Sequence, residues 1–255
     1  MTFSFSRVNC YHQCPYQFYC HYIEKEDGLD NFWAQSGGFV HRLLEGILKK
    51  EITVDEAIVR FVRDFEDECD APVSQKIKDT TFEKICEFLT SYDEDKIKKY
   101  KILGVEEEVR FDIDGYSFRG FIDLLIENDR GEIIVIDHKS AAYPLGKNGK
   151  VLKNQLSAFE EHKRQLYLYS KAVLGKYGKF PSYLGWNHFK DNKTCLIAFD
   201  EEEYFNSLLW AKLSIESIKS DDVFAPKKDY FFCKNLCEYR EDCVYIDDDN
   251  EEEDE

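Results

Sequence analysis

"GFIDLLIENDRGEIIVIDHKS", Gly120–Ser140, decides how this chain is read. Two apolar runs flank the turn residues "NDRG", the pattern of two strands joined by a turn. Each strand should pack apolar side chains inside a sheet. Yet Asp123, Asp137 and Lys139 interrupt the runs, and charges are rarely buried without a partner. Residues two apart in a strand share a face. Asp137 and Lys139 therefore point the same way and His138 the other, while Asp123 on the neighbouring strand can sit beside Asp137. Two carboxylates held together repel unless a cation joins them. Oxygen ligands of this type suit Mg²⁺ or Mn²⁺. A lysine beside such an ion can stabilise an attacking hydroxide or a phosphate oxygen, the logic of metal-assisted phosphodiester hydrolysis. The spacing alone suits equally well a set of exposed charges on a half-solvated sheet face.

Around this stretch the hydrophobic period changes. "CPYQFYCHYI" (14–23), "FWAQSGGFVHRLLEGILKK" (32–50), "TVDEAIVRFVRDFEDE" (53–68) and "SQKIKDTTFEKICEFLTSY" (74–92) read as helices, the third opened by the capping box Thr53/Glu56. "ILGVEEEVRFDI" (102–113) alternates and ends at "DG", a hairpin signal, before the strand at 116–127. After the strand at 132–140 come a loop with Pro144, Gly146 and Gly149, a long helix at 154–175, a hairpin of strands at 182–190 and 194–199, and a helix at 200–220 opened by acids. The expected fold is an α/β sandwich: a central mixed sheet flanked by helices. Neither GxGxxG nor GxxxxGK[ST] occurs, so a phosphate-loop nucleotide site is not expected.

The 255 residues suit one elaborated domain. Residues 1–100 form a mainly helical part, 101–200 an α/β core and 201–246 a helix and cysteine-rich segment, with a disordered acidic tail at 247–255. The net charge of −17 is uneven. The tail carries eight acids, leaving about −9 for the rest, and Lys139–Lys179 holds nine Lys/Arg against two acids. Binding follows the local field, not the total. No signal peptide or apolar run of ~18 residues is present, so a soluble cytoplasmic protein without membrane contact is expected.

Here the residues resemble a family. "GFID" followed by "VIDHKS" is similar to the metal-binding core of the PD-(D/E)XK nuclease superfamily, and within it to the RecB-like branch that includes CRISPR-associated RecB-like exonucleases and the AddB nuclease domain. "GGFVHRLLE" resembles that branch's histidine-bearing helix, "QLYLYS" its Q-x-x-x-Y helix, and "SFSRVNCYHQCPYQFYCHYI" its N-terminal segment with a Cys-Pro pair. "CKNLCEYREDC" resembles its C-terminal cysteines. The resemblance covers most of the chain in order. It implies a restriction-endonuclease-like core and a Mg²⁺- or Mn²⁺-dependent deoxyribonuclease, with exonuclease action favoured, in DNA repair, recombination or CRISPR-related processing. Asp123 and Asp137 would bind the metal, with His41 and the backbone carbonyl of His138 as further donors. Lys139 would assist catalysis. Gln165 and Tyr169, at i and i+4 on one helix face, would face the DNA or support the site. "VEEEV" offers a further acid, but Glu106 and Glu108 share one face and Glu107 the other, so alternation does not choose among them.

Nine cysteines in a chain read as intracellular suggest metal ligation, not a disulfide framework. Cys233, Cys237 and Cys243 are spaced C-x3-C-x5-C. In the resembling branch one N-terminal cysteine joins three C-terminal ones around a [4Fe–4S] cluster. The Cys-Pro pair points to Cys14, with Cys10 and Cys20 as neighbours able to substitute. The branch often has C-x2-C where this chain has C-x3-C, and a tetrahedral Zn²⁺ would use the same thiolates.

Lys147, Lys150 and Lys153 follow the catalytic strand in a loop. They suit contacts to DNA phosphates and equally a solvated loop. The rival to a nuclease is a DNA-binding or adaptor subunit of the same fold, its cysteines holding zinc. The acidic composition also suits a protein partner in a DNA-processing complex.

Overall fold

The computed structural model describes residues 2–245; the acidic tail lies outside them. The sheet has five strands in the order β1-β2-β3-β4-β5. β1 (Lys101–Ile113) and β2 (Tyr116–Glu127) are antiparallel, turned at Asp114-Gly115. Both turn residues have positive φ (49° and 88°), as the twist-matched hairpin turn demands. β3 (Ile133–Lys139) continues antiparallel to β2. The chain then crosses over through α7 (Leu156–Tyr177), so that β4 (Tyr183–His188) joins β3 in parallel. β5 (Lys193–Ala198) closes the far edge antiparallel to β4. The sheet is therefore mixed, with β3 and β4 as its parallel strand pair.

One sheet face packs on α1 (Phe5–Gln13), α7 and α8 (Glu201–Ser220) through Val8, Val135, Leu166, Trp186, Ala211 and Ile215, each at most 1% exposed. A second core, built on Phe32, Leu44, Phe61, Ile85 and Phe189, unites α3 (Phe32–Leu48), α4 (Val54–Glu68) and α5 (Gln75–Thr90). Caps explain where these helices begin. Asn31 and Asp200 side chains accept from Ala34 N and Glu203 N, and the Thr53/Glu56 capping box is complete.

The N-terminal segment differs from the helix expected at 14–23. A helix already runs from Phe5 to Gln13, capped by Ser4. The chain breaks at Cys14, whose backbone is extended (φ −156°, ψ 112°). It resumes as α2 (Pro15–Phe18) and a π-turn at Tyr19–Glu24. Pro15 is the reason: it disfavours the helical region for the residue before it, yet suits a first helical position. A short turn, α6 (Asp95–Lys98), also lies where no helix was expected.

Candidate active site

The site forms where β3 leaves the β2 ladder. Pairing between these strands ends at Leu124↔Ile136. One residue further on, Asp123 supplies its carboxylate in place of a backbone partner: Oδ2 accepts from His138 N at 2.6 Å. Asp123 and Asp137 are 8% and 3% exposed, so both expected carboxylates are buried and the exposed-charge reading is set aside. Burial, then the charge of Asp137, pushes the Asp123 carboxyl well above its ordinary range.

α3 brings His41 to the same point. Its Nε2 lies 2.8 Å from the His138 carbonyl, so Nε2 donates, and in the neutral ring the Nδ1 lone pair would face outward. Nδ1 is 3.6 Å from both Asp123 Oδ2 and Glu106 Oε1. Burial lowers the pKa of His41, but the contact with Glu106 and the charges of Asp123 and Asp137 outweigh it, leaving a net rise. A lone pair and two carboxylates turned on one point require a proton or a cation between them. An imidazole fixed by donating its other N–H to a carbonyl is the habitual posture of a metal-ligating histidine.

Among the described residues, His41, Glu106 and Asp123 are the one set of at least three His, Cys, Asp or Glu side chains with ligand atoms within 4.8 Å of one another. Alternation could not single out Glu106 because it breaks alternation. Its φ is +48°, and the β1–β2 register passes from Val105↔Leu124 to Glu107↔Ile122 around it. The signal available in the sequence was Gly104 beside three consecutive acids, a composition suited to a distorted strand.

Lys139 Nζ is 2.8 Å from Asp137 Oδ2 and donates to Gln165 Oε1 at 2.8 Å. The contact to Asp137 is an ion pair without hydrogen-bond alignment, so that buried carboxylate oxygen has no directed donor. The structure thus brings Asp123, Asp137, Lys139, Gln165 and His41 together. The His138 ring is turned away, its Nδ1 receiving Asn187 Nδ2 at 3.1 Å. Burial, with His41 and Lys139 adding, drives its pKa down to about 3, so the ring is neutral and only its backbone serves the site. Tyr169 is 5% exposed. Burial, then the two aspartates, pushes its hydroxyl up to about 12. Its ring occupies the space above Gly120, where a Cβ would collide with it; this is why "GFID" begins with glycine.

An open cleft of about 450 Å³ exposes this chemistry, walled by Gly37, Gly38, His41, Glu106, Asp123, Asp137, Lys139 and Gln165 among others. Lys147, Lys150 and Lys153 are exposed on their loop and line no part of it.

Elsewhere, Cys14, Cys233, Cys237 and Cys243 line one small pocket. Burial pushes the Cys237 thiol up to about 11, and the nearby Cys14, Cys243 and Cys233 add to the rise. Cys10 and Cys20 are not part of that lining. Chain-end contacts surround it: Gln17 Nε2 donates to Glu238 Oε1 (2.9 Å), Leu29 N to Glu238 O (2.7 Å) and Tyr239 to the Glu26 carbonyl (3.0 Å). Among the described residues no three of these thiols have their sulfurs all within 4.8 Å of one another.

The family model described as the PD-(D/E)XK nuclease superfamily matches residues 2–244. No curated protein matches the chain. Among solved structures, the chain is similar to that of an exonuclease candidate from Eubacterium rectale, with a TM-score of 0.56 and 13% identity over 94% of this chain and 86% of that one. SSO0001 is a weaker likeness, with a TM-score of 0.37 and 19% identity over 82% of this chain and 97% of that one. At these identities the first likeness speaks for the fold alone. Among the described residues no helix is long and apolar enough to cross a membrane.

Proposed function

Because the chain belongs to the PD-(D/E)XK nuclease superfamily, we propose that it is a divalent-metal-dependent deoxyribonuclease acting on DNA ends in DNA processing. The observation that carries this reading is the convergence of His41, Glu106 and Asp123 on one point beside the Asp137–Lys139 pair. The donor set, one imidazole nitrogen with carboxylate oxygens, fits Mn²⁺ and Mg²⁺. His41, Glu106, Asp123 and Asp137 would hold the ion, with the His138 carbonyl as a further donor. When bound, such an ion activates water and neutralises charge on the phosphate.

The chain's own groups do the rest. Asp123, tied to the backbone of β3, keeps its carboxylate fixed where the ion enters. Gln165 orients the Lys139 ammonium, which would offset charge developing on the phosphate. Tyr169 packs beneath and holds α7 against β2. We favour exonuclease action, the activity in the description of the Eubacterium rectale protein that shares this fold; the comparison of circular with linear DNA decides it. Lys147, Lys150 and Lys153 would serve as an outer phosphate contact apart from the cleft.

For the cysteine pocket we favour a [4Fe–4S] cluster over zinc, because Cys14, Cys233, Cys237 and Cys243, the residues that the family resemblance joins around such a cluster, all line one hollow. Such a group would be structural, clamping the two chain ends.

Circular and end-labelled linear DNA, each with Mg²⁺, with Mn²⁺ and with EDTA, test the function. Metal-dependent loss of the linear substrate alone supports an exonuclease. Cutting of the circle reassigns the protein as an endonuclease. No cleavage under any metal condition favours an adaptor of nuclease fold.

A further inference from the structure

A second cleft, of about 540 Å³, opens on the other side of the metal site. Asp123 and Gln165 belong to the walls of both clefts, so the two form one groove that bends at the chemistry. Its far arm is built by the start of the chain and by β2, through Ser4, Ser6, Arg7, Tyr22, Arg119 and Phe121.

Arg7 is the unusual member. Its guanidinium lies 4.4 Å from the centre of the Tyr22 ring, and Nη1 donates to the Thr2 carbonyl at 2.9 Å. These contacts hold it in place. Nε is buried with no acceptor, and no carboxylate forms an ion pair with it among the described residues. This occurs in a chain with 51 acids and 34 Lys/Arg. A structural arginine would be expected to find a carboxylate in such a chain; one held rigid and unpaired on a cleft wall awaits an anion. Arg119, across the arm, is 5.2 Å from the centre of the Phe121 ring and 3.1 Å from Glu108 Oε1. Phe121 is 43% exposed although it sits in a strand beside the core. An exposed aromatic with an arginine at its ring and a second arginine lining the same cleft suits a strand whose phosphates pair with the guanidiniums and whose base rests on the ring.

We propose that Arg7 and Arg119 bind a backbone phosphate next to the scissile one, in a subsite where Phe121 stacks the adjoining base. The subsite deepens the nuclease reading and rests on it. Through it the chain would fix the substrate's path past the proposed ion by residues outside the basic loop. Arg7 lines the arm, so a phosphate entering there would meet a guanidinium that no carboxylate pairs with among the described residues.

The test is fluorescence anisotropy of a labelled single-stranded oligonucleotide in Ca²⁺ over a range of KCl, with the full chain and with Arg7→Ala, Arg7→Lys and Arg119→Ala. Arg7→Ala is expected to weaken binding about tenfold and to reduce the slope of log Kd against log salt by about one, as loss of a phosphate contact does. Arg7→Lys should keep the slope and lose part of the affinity. Arg119→Ala sits on an exposed strand position, leaves the α1 packing untouched, and should lower the slope similarly. Arginines that merely support the fold would leave the slope at the parent value; that result in both Ala variants overturns the subsite. Failure of the parent to cleave DNA would overturn the nuclease reading and leave this binding measurement intact. Cleavage by the parent with unaltered slopes would overturn the subsite alone.

Discussion

Asp123 accepts a hydrogen bond from the His138 backbone N–H at 2.6 Å, and so a buried carboxylate takes the place of a strand partner where the β2–β3 ladder ends. This bond fixes a charge that the protein would otherwise expel. The cost is visible in the raised pKa of Asp123, caused by burial and then by Asp137. Replacing Asp123 by Asn keeps an oxygen for the His138 N–H and removes the repulsion. The metal-free Asp123→Asn protein is expected to melt higher than the parent at pH 8, and to lose the stabilisation that Mn²⁺ confers. Thermal melts with and without Mn²⁺ check both halves.

His41 and Glu106 reach the same point from a helix and a distorted strand. His41→Ala and Glu106→Gln should each weaken Mn²⁺ binding by at least about tenfold, measured by calorimetric titration. A Glu107→Gln control should bind as the parent does, since Glu107 pairs with Lys176 on α7.

If Asp123 holds the proposed ion, proton and metal compete for it. Its folded-state pKa lies above its unfolded value, so the folded metal-free protein holds the proton more tightly. That contribution destabilises the metal-free fold as pH rises from the ordinary carboxylate range toward neutrality. A cation reverses it by favouring the charged form. At a hundredfold excess of Mn²⁺ over its Kd, the melting temperature should rise by about 5–10 °C at pH 8, and by clearly less at pH 5.5. Equal shifts at the two pH values would remove Asp123 from the metal site.

The cluster proposed for the cysteine pocket predicts iron. Protein prepared without oxygen should be brown and contain iron, and Cys14→Ser or Cys237→Ser should abolish the colour and lower the melting temperature. A colourless parent carrying one zinc per chain would assign the pocket to a tetrahedral ion.

Asp137, Lys139 and the turn between β2 and β3 were legible because strand alternation and turn residues report local geometry directly. So was the Asp114-Gly115 hairpin, where two positive φ values need that residue pair. Glu106 was not legible, because the +48° φ that aims it at His41 destroys the two-residue period from which its direction would be read. The break at Cys14 hides for a related reason: Pro15 starts one helix by ending another. Arg7 was not legible either: its place, held by Tyr22 and Thr2 with no carboxylate pairing with it among the described residues, depends on contacts that only the folded chain makes. Local periodicity thus located the carboxylates and lysine, while the residues that complete the groove are set by tertiary packing.

The most direct measurement is nucleotide release from end-labelled DNA by the parent, Asp137→Ala and Lys139→Ala, in Mg²⁺ or Mn²⁺ and in EDTA, with circular dichroism to confirm folding. The parent should release label only with metal, and each folded variant should be slower by on the order of 10²–10³-fold. Cleavage by both folded variants at the parent's rate, or parent cleavage undiminished in EDTA, would contradict a metal-dependent site at Asp123, Asp137 and Lys139.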